Sequence, residues 1–246
     1  MIYAVINEKG GVGKTTLAVN LAAGYALRGR RVLAVDLDAG AGLTTWYGVE
    51  GEADVADFIL GDGPPGRYAV EVRPGLDVIP ATKAATINLE YDDAILADRG
   101  RRRLKERLRR ARYDVIILDT APSVNVLTVN AVIAADAVIA PVLADYFSLR
   151  ALAELEADLR EYRRLVGRGV ARVAAVVPMQ YHAGRRISGE VLEVLMSGYG
   201  AVVAPAVRTS VKFAEASSYH RTIYEHDPRG RGPEDINAII DFMEAA

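Results

Sequence analysis

Short, nearly unbroken apolar runs recur along the chain at positions 2–6, 31–35, 76–79, 115–118, 137–141 and 172–177. Runs of this length read as strands buried on both faces, because a solvated face would place a polar residue at every second position. Between them lie longer stretches near 14–28, 84–96, 99–112, 124–134, 147–166 and 186–197, which read as helices. Strands alternating with helices predict a parallel sheet whose crossovers cover it. The expected fold is therefore α/β: a three-layer sandwich with a mostly parallel twisted sheet and helices on both faces, forming one domain over 1–246. The glycine- and proline-rich stretch 61–66 reads as a turn inside that domain, not a linker. In such sheets ligands bind at the carboxyl ends of the strands.

A last helix is expected over 235–246, with apolar residues at 236, 239, 240 and 243 on one face. It carries three acids and no base. A helix that lies on a membrane surface wants Lys and Arg opposite its apolar face, so this one is expected to pack on the core. No apolar run approaches the roughly 20 residues of a membrane span. The chain enters its first strand at once, with no basic leader or cleavage signal, so a cytoplasmic and not a secreted protein is expected.

Composition narrows the chemistry. The chain has 246 residues and no cysteine. Cysteine-ligated zinc, iron–sulfur clusters and a cysteine nucleophile are thereby excluded. The three histidines, His182, His220 and His226, have no spacing that suggests a shared site. The net charge of −2 conceals a division: residues 1–98 hold 8 basic and 14 acidic residues, and residues 99–246 hold 22 and 18.

The strongest chemical signal follows the first strand: Asn7-Glu-Lys-Gly-Gly-Val-Gly-Lys-Thr-Thr16, then a helix. Strand, glycine-rich turn, Lys-Thr and helix form the setting of a P-loop. Gly10, Gly11 and Gly13 let backbone N–H groups approach phosphate oxygens, with Val12 between them, and the helix start adds its positive end. Lys14 is expected on the β- and γ-phosphates, and the Thr15 hydroxyl on Mg²⁺, with Thr16 following at the nucleotide. The loop departs from the ordinary motif. Glu8 stands where the first glycine would, and a second lysine, Lys9, precedes the double glycine.

Two further apolar strands end in aspartate: 32–35 runs into Asp36-Leu-Asp38, and 115–118 into Asp119-Thr-Ala-Pro122. An apolar strand ending in Asp beside a P-loop is the Walker-B arrangement, in which the carboxylate helps hold Mg²⁺. Asp119 is expected there, with Asp36 supporting the metal shell. Asp38, on the small-residue loop 39–42, is placed to orient or deprotonate an attacking water. Taken singly, each Asp could equally be a helix cap or a turn former.

Lys9-Gly-Gly-Val-Gly-Lys-Thr-Thr16 resembles the deviant Walker A motif of the ParA/MinD ATPases. Asp36-Leu-Asp38 and its loop resemble that family's first switch, and Tyr113-Asp-Val-Ile-Ile-Leu-Asp-Thr-Ala-Pro-Ser123 its second. The segments 140–151, 210–216 and 224–232 resemble later parts of the small, Soj-like ParA proteins, so the likeness spans essentially the whole chain. It implies an ATPase using ATP and Mg²⁺, with Lys9, Lys14 and Asp38 serving hydrolysis. It further implies an ATP-bound sandwich homodimer in which Lys9 reaches the partner's phosphates. Such dimers hold DNA without sequence preference, on the nucleoid, until a ParB-like adaptor stimulates hydrolysis. The cargo would be a chromosome, a plasmid or a protein assembly. By the same analogy the adenine contacts fall near Met179 and Arg208.

The chain departs from the family in two places. Many members read Asp-Pro-Gln-Gly-Asn where this chain reads Asp38-Ala-Gly-Ala-Gly42, a change that bears on the rate and coupling of hydrolysis. Gly184 and Thr209 stand opposite the DNA-contacting arginines, with Arg185, Arg186, Arg208 and Lys212 beside them as the expected DNA contacts. A second basic segment, 99–112, has nine bases and one acid, with Leu104, Leu108 and Ala111 expected to face the core and the bases to face water. Two other readings of the chain are a MinD-like regulator that cycles on a membrane and an ATP-dependent amide or carboxylate ligase. The acidic C-terminal helix opposes the first, and Lys9 and the ParA-like C-terminal half oppose the second.

Overall fold

All six predicted strands form in a computed structural model of the chain. The structure describes residues 1–246 except Glu52, Asp98, Arg99, Val124, Arg168 and Ala246, and except the side chains of residues 146–148, 165 and 166. Arg99 and Val124, the first residues of two predicted helices, thus lie outside the described residues. The chain begins β1 (Ile2–Val5), α1 (Lys14–Leu27), β2 (Val32–Leu37), α2 (Gly42–Tyr47), α3 (Val55–Leu60), β3 (Val70–Arg73) and β4 (Leu76–Ile79). It continues α4 (Lys83–Glu90), α5 (Asp93–Leu96), α6 (Arg103–Leu108), β5 (Val115–Thr120), α7 (Val126–Ala134), β6 (Ala137–Leu143) and α8 (Tyr146–Val166). The last part holds β7 (Arg172–Met179), α9 (Arg186–Tyr199), α10 (Lys212–Ser218), α11 (Ile223–His226) and α12 (Arg231–Ala245).

The sheet order is β3-β4-β2-β5-β1-β6-β7. Every pairing is parallel except β3 with β4. Strand β3 was not expected: Val70-Glu-Val-Arg73 alternates over only four half-exposed residues at the sheet edge, too short for its pattern to stand out. The buried strands show why continuous apolar runs were needed. In β5, Ile116 and Leu118 join one core with α3, α6, α7 and α8, while Val115 and Ile117 join the other with α1, α10 and α12. Each strand supplies both cores through alternate residues.

The predicted helix 84–96 is two helices. Asp92 breaks it, because its side chain accepts from the Ala94 N–H and starts α5 afresh. The short helices α3 and α11 begin with capping boxes, Asp54 with Asp57 and Thr222 with Glu225. These are sequence signals for helix starts that apolar periodicity alone passes over. In α12, Ile236, Ile239, Ile240 and Met243 are buried, so its apolar face is occupied by the core. Among the described residues no helix is long and apolar enough to cross a membrane.

The basic segment 99–112 forms a shorter helix than expected, and its bases do not all face water. Leu104 and Leu108 point into the core as anticipated, but Arg107 is buried with them. Its guanidinium donates to Phe58 O and Gly63 O, each at 2.7 Å, and lies over the Phe58 ring. Arg103 donates to Ile59 O and Leu60 O, and Lys105 to Ile133 O. Apart from Gly63 O, in the loop after α3, these carbonyls belong to the last turns of α3 and α7, where helical partners run out and the dipole is negative. Three of the nine bases therefore fasten helix ends.

Candidate functional site

The order β2-β5-β1 brings three strand ends together. Val5 is paired with Asp119, and Asp119 with Asp36 across the next ladder. The P-loop that follows β1 thus faces both aspartates, although more than 100 residues separate it from Asp119.

The loop is built on Asn7. Its side-chain amide donates to Pro141 O on β6 at 2.8 Å, and its Oδ1 accepts from the Lys9 N–H at 2.8 Å. Gly11 and Gly13 hold φ of 74° and 92°, in the left-handed region that other residues resist. Gly13 also lacks room: a Cβ there would lie 2.9 Å from Met179 Cε. At Gly10 and Gly11 a Cβ would meet no protein atom within 4 Å, so these two glycines border open space. Val12 is buried and anchors the loop from below.

Lys14 is buried, and its ammonium donates to Lys9 O at 3.2 Å, arching back over the loop. Burial pushes its pKa down, while Asp119 and Asp38 pull it up. Thr15 Oγ1 donates to Asp119 Oδ2 at 2.7 Å. The other oxygen, Asp119 Oδ1, is buried without a hydrogen-bond partner among the described residues. Burial, and next the charge of Asp36, raise Asp119 well above the ordinary carboxylate range. An orphaned carboxylate oxygen beside a threonine hydroxyl, next to a lysine under a glycine loop, fits a hard divalent cation bridging to phosphate. These residues suit Mg²⁺ and a nucleoside triphosphate.

Asp36 differs from expectation. Its Oδ2 accepts from the Thr44 N–H and Oγ1 at 2.9 and 2.8 Å, and its Oδ1 from the Asp38 N–H at 3.1 Å. Burial outweighs these bonds and pushes its pKa up to about 6. Both oxygens are engaged in shaping the first switch, so Asp36 braces the loop rather than presenting an oxygen to a metal. Asp38, half-buried, accepts from the Gly40 N–H at 2.8 Å, and its carbonyl from the Ala41 N–H. That tight turn lets α2 start against Thr15.

The Lys9 ammonium pairs with Asp145, at the entry to α8, at 2.9 Å. Next to it, Glu8 is pushed up to about 7, first by a hydrogen bond to Asp158 of α8, then by burial, with Glu154 adding repulsion. The unusual residues of the motif thus both face α8. Sequence reasoning had no means of finding Asp145 or Asp158, which carry no motif of their own.

Beside the loop lies a cavity of about 440 Å³ lined by Gly13, Thr16, Met179, Arg208 and Phe213, and also by Trp46. Its walls include the apolar side chains of Met179, Trp46 and Phe213, which could accept a planar ring. Met179 and Arg208, expected near adenine, both reach it. Trp46, read from the sequence as packing, lines it too while donating to Arg221 O.

Of the expected DNA contacts, Arg208 binds Asp235 and Glu234, Lys212 binds Glu215 at 2.7 Å, and Arg186 binds Glu190 at 2.6 Å. Arg185 is exposed. The Arg208 pair is the firmest, since Asp235 is itself buried and also takes the Arg208 N–H.

Comparison with known proteins agrees with this geometry. Residues 1–167 match a family model described as an AAA domain. The chain is 36% identical over 247 residues to the chromosome-partitioning ATPase Soj of Thermus thermophilus, covering 98% of this chain and 94% of that protein. An ATP complex of a Cyanothece McdA variant shares the fold, with a TM-score of 0.84 at 19% identity over 99% of this chain and 95% of the other. A Mycobacterium smegmatis cobyrinic acid a,c-diamide synthase, solved with ADP and magnesium, gives a TM-score of 0.76 at 29% identity over 94% and 96%. With Lys9 ahead of the P-loop, aspartates at both switch strands and this near-full-length likeness to Soj, the chain belongs to the ParA/MinD-type partition ATPases.

Proposed function

We propose that the chain, acting as a single nucleotide-binding domain, hydrolyses ATP with Mg²⁺ to partition or position a cargo. In this reading ATP closes a sandwich homodimer, the dimer holds DNA on the nucleoid without sequence preference, and a ParB-like adaptor stimulates hydrolysis and release in the cytoplasm. The observation that carries it is the direction of Lys9. The Lys9 ammonium pairs with Asp145 at the entry to α8, which supports a reading in which it serves a phosphate of a second subunit.

The residues divide the work. The N–H groups of residues 10–15 and the Lys14 ammonium bind and orient the phosphates. Thr15 and Asp119 would hold Mg²⁺, which offsets charge on the β- and γ-phosphates when bound. Asp38 accepts a hydrogen bond from the attacking water and aims it. The base-side cavity excludes water around Met179, Trp46 and Phe213. The buried apolar face of α12 supports this reading over a membrane-cycling regulator, whose anchor would need that face exposed.

The test is retention of random-sequence DNA with ATP against ADP, across a salt series. Retention that is much stronger with ATP than with ADP and falls steeply with salt is expected. Equal retention in both nucleotides, or none in either, would overturn the DNA-cycling reading.

A further inference from the structure

Where three of the four expected DNA-contacting bases are paired with acids, another basic group is not. At the far end of the sheet from the P-loop, the last turns of α8 meet the first residue of β7. Arg160, Arg163 and Arg172 line a cavity of about 260 Å³ there, with Glu156 the one acid in its wall. The register fixes the location: Arg172 pairs with Ala137 at the start of β6, and Ala137 pairs with Tyr3 at the start of β1. The corner therefore lies at the amino ends of the strands, outside the nucleotide face.

Its charge is poorly compensated. Glu156 lies 3.7 Å from Arg160. Among the described residues Arg163 and Arg172 have no carboxylate partner. Arg163 is held in place by donating to Ala171 O at 2.9 Å, while its Nε is buried with no acceptor. Burial, and then the nearby Arg172, push Arg163 down from its ordinary pKa, with Glu156 only partly opposing the shift. Arg160 and Arg172 are exposed, so a ligand can reach between them.

We infer that this α8–β7 corner is a binding site for the phosphate backbone of nucleic acid, separate from the C-terminal basic residues and independent of bound nucleotide. Planar guanidiniums suit phosphate oxygens bidentately, and three of them around one cavity give the concentration of positive charge that a phosphodiester replaces counterions on. The choice of nucleic acid rests on the DNA-binding reading above. Within the described part of 156–173 there is no exposed large apolar side chain to enter a lipid surface. Because the corner points away from the P-loop, closing a sandwich dimer leaves it in place. It gives the monomer a weak hold on DNA, which keeps a released subunit close to the strand.

The test uses the double variant Arg160→Gln/Arg172→Gln, leaving Arg163 and its helix-end bond intact. Binding to a short random-sequence duplex is measured with ADP and with ATP across salt. The expected result is loss of ADP-state binding and a fall in the salt slope of about 0.9 for each phosphate contact removed, in both nucleotide states. Basal ATP turnover and melting temperature stay at the wild-type values. An unchanged slope, with ATP-dependent retention intact, overturns the corner and leaves the partition reading standing. Corner-dependent binding that is the same in ATP and ADP supports the corner and sinks the nucleotide-cycled reading. Wild-type binding to phosphatidylglycerol vesicles but not to duplex overturns the nucleic-acid assignment in favour of a lipid headgroup.

Discussion

At the residue scale, two side chains divide binding from chemistry. Lys14 is buried and held against Lys9 O, so its charge is already desolvated and positioned. Replacing it with alanine removes a charge-assisted phosphate contact, and Mg-ATP affinity is expected to fall by at least about tenfold, given roughly 1.5–3 kcal/mol for a hydrogen bond to a charged group. The Asp38 carboxylate accepts from the Gly40 N–H of its own turn and acts on Lys14 only through its charge. Asp38→Ala should therefore bind ATP as the wild type does, while turnover falls by the 10²–10⁴ that general-base positioning contributes. Equilibrium nucleotide binding and steady-state phosphate release separate the two. Normal turnover in Asp38→Ala would remove that residue from the mechanism. Both lysines, the glycines and the switch aspartates were legible in the sequence because a motif fixes them within ten residues or at a strand end. Asp36 was legible in position but not in use, since its Thr44 partner comes from the helix after the loop.

At the element scale, the sequence's most conspicuous charge run turned out to be partly internal. Arg107 of α6 reaches under α3 to Phe58 O and Gly63 O. Arg107→Ala strands two carbonyls in an apolar setting and removes packing against Phe58. A loss of about 2–4 kcal/mol is expected in urea unfolding, with unchanged DNA retention in whatever fraction stays folded. A loss below ~0.5 kcal/mol would show that the bonds are replaced by water. The helix itself was predictable from Leu104 and Leu108. The inward arginine was not, because a charge on a helix declares its direction only when a neighbouring helix end supplies acceptors. The edge strand β3 and the short helices were hidden for a related reason: four to seven residues hold too little periodicity, and their caps are the stronger signal.

At the scale of the whole molecule, the Lys9–Asp145 pair connects the P-loop to the entry of α8. On the proposed reading, Lys9 leaves Asp145 to serve a phosphate of a second subunit. The pair is about one-third exposed on each side, so it is worth no more than about 1 kcal/mol. Asp145→Asn is expected to tighten ATP-dependent dimerisation by up to roughly fivefold, measured by sedimentation across protein concentration, with nucleotide affinity of the monomer unchanged. Weaker dimerisation in that variant would mean that Asp145 helps the closed state instead.

The sequence alone determined the alternating strands and helices, the P-loop with its extra lysine, the aspartates at two strand ends and the absence of cysteine chemistry. These are local: each depends on residues close in the chain, where backbone geometry and burial pattern leave few choices. The tertiary structure decided everything that joins distant segments. It placed Asp119 on Thr15, turned Lys9 to Asp145 and Glu8 to Asp158, brought Trp46 to the cavity beside the P-loop, and paired Arg186, Arg208 and Lys212 with acids while leaving Arg163 and Arg172 without an ion-pair partner among the described residues. The reason is that charge acts through space over a few ångströms. Which charges meet depends on how strands and helices pack, and no spacing along the chain records it.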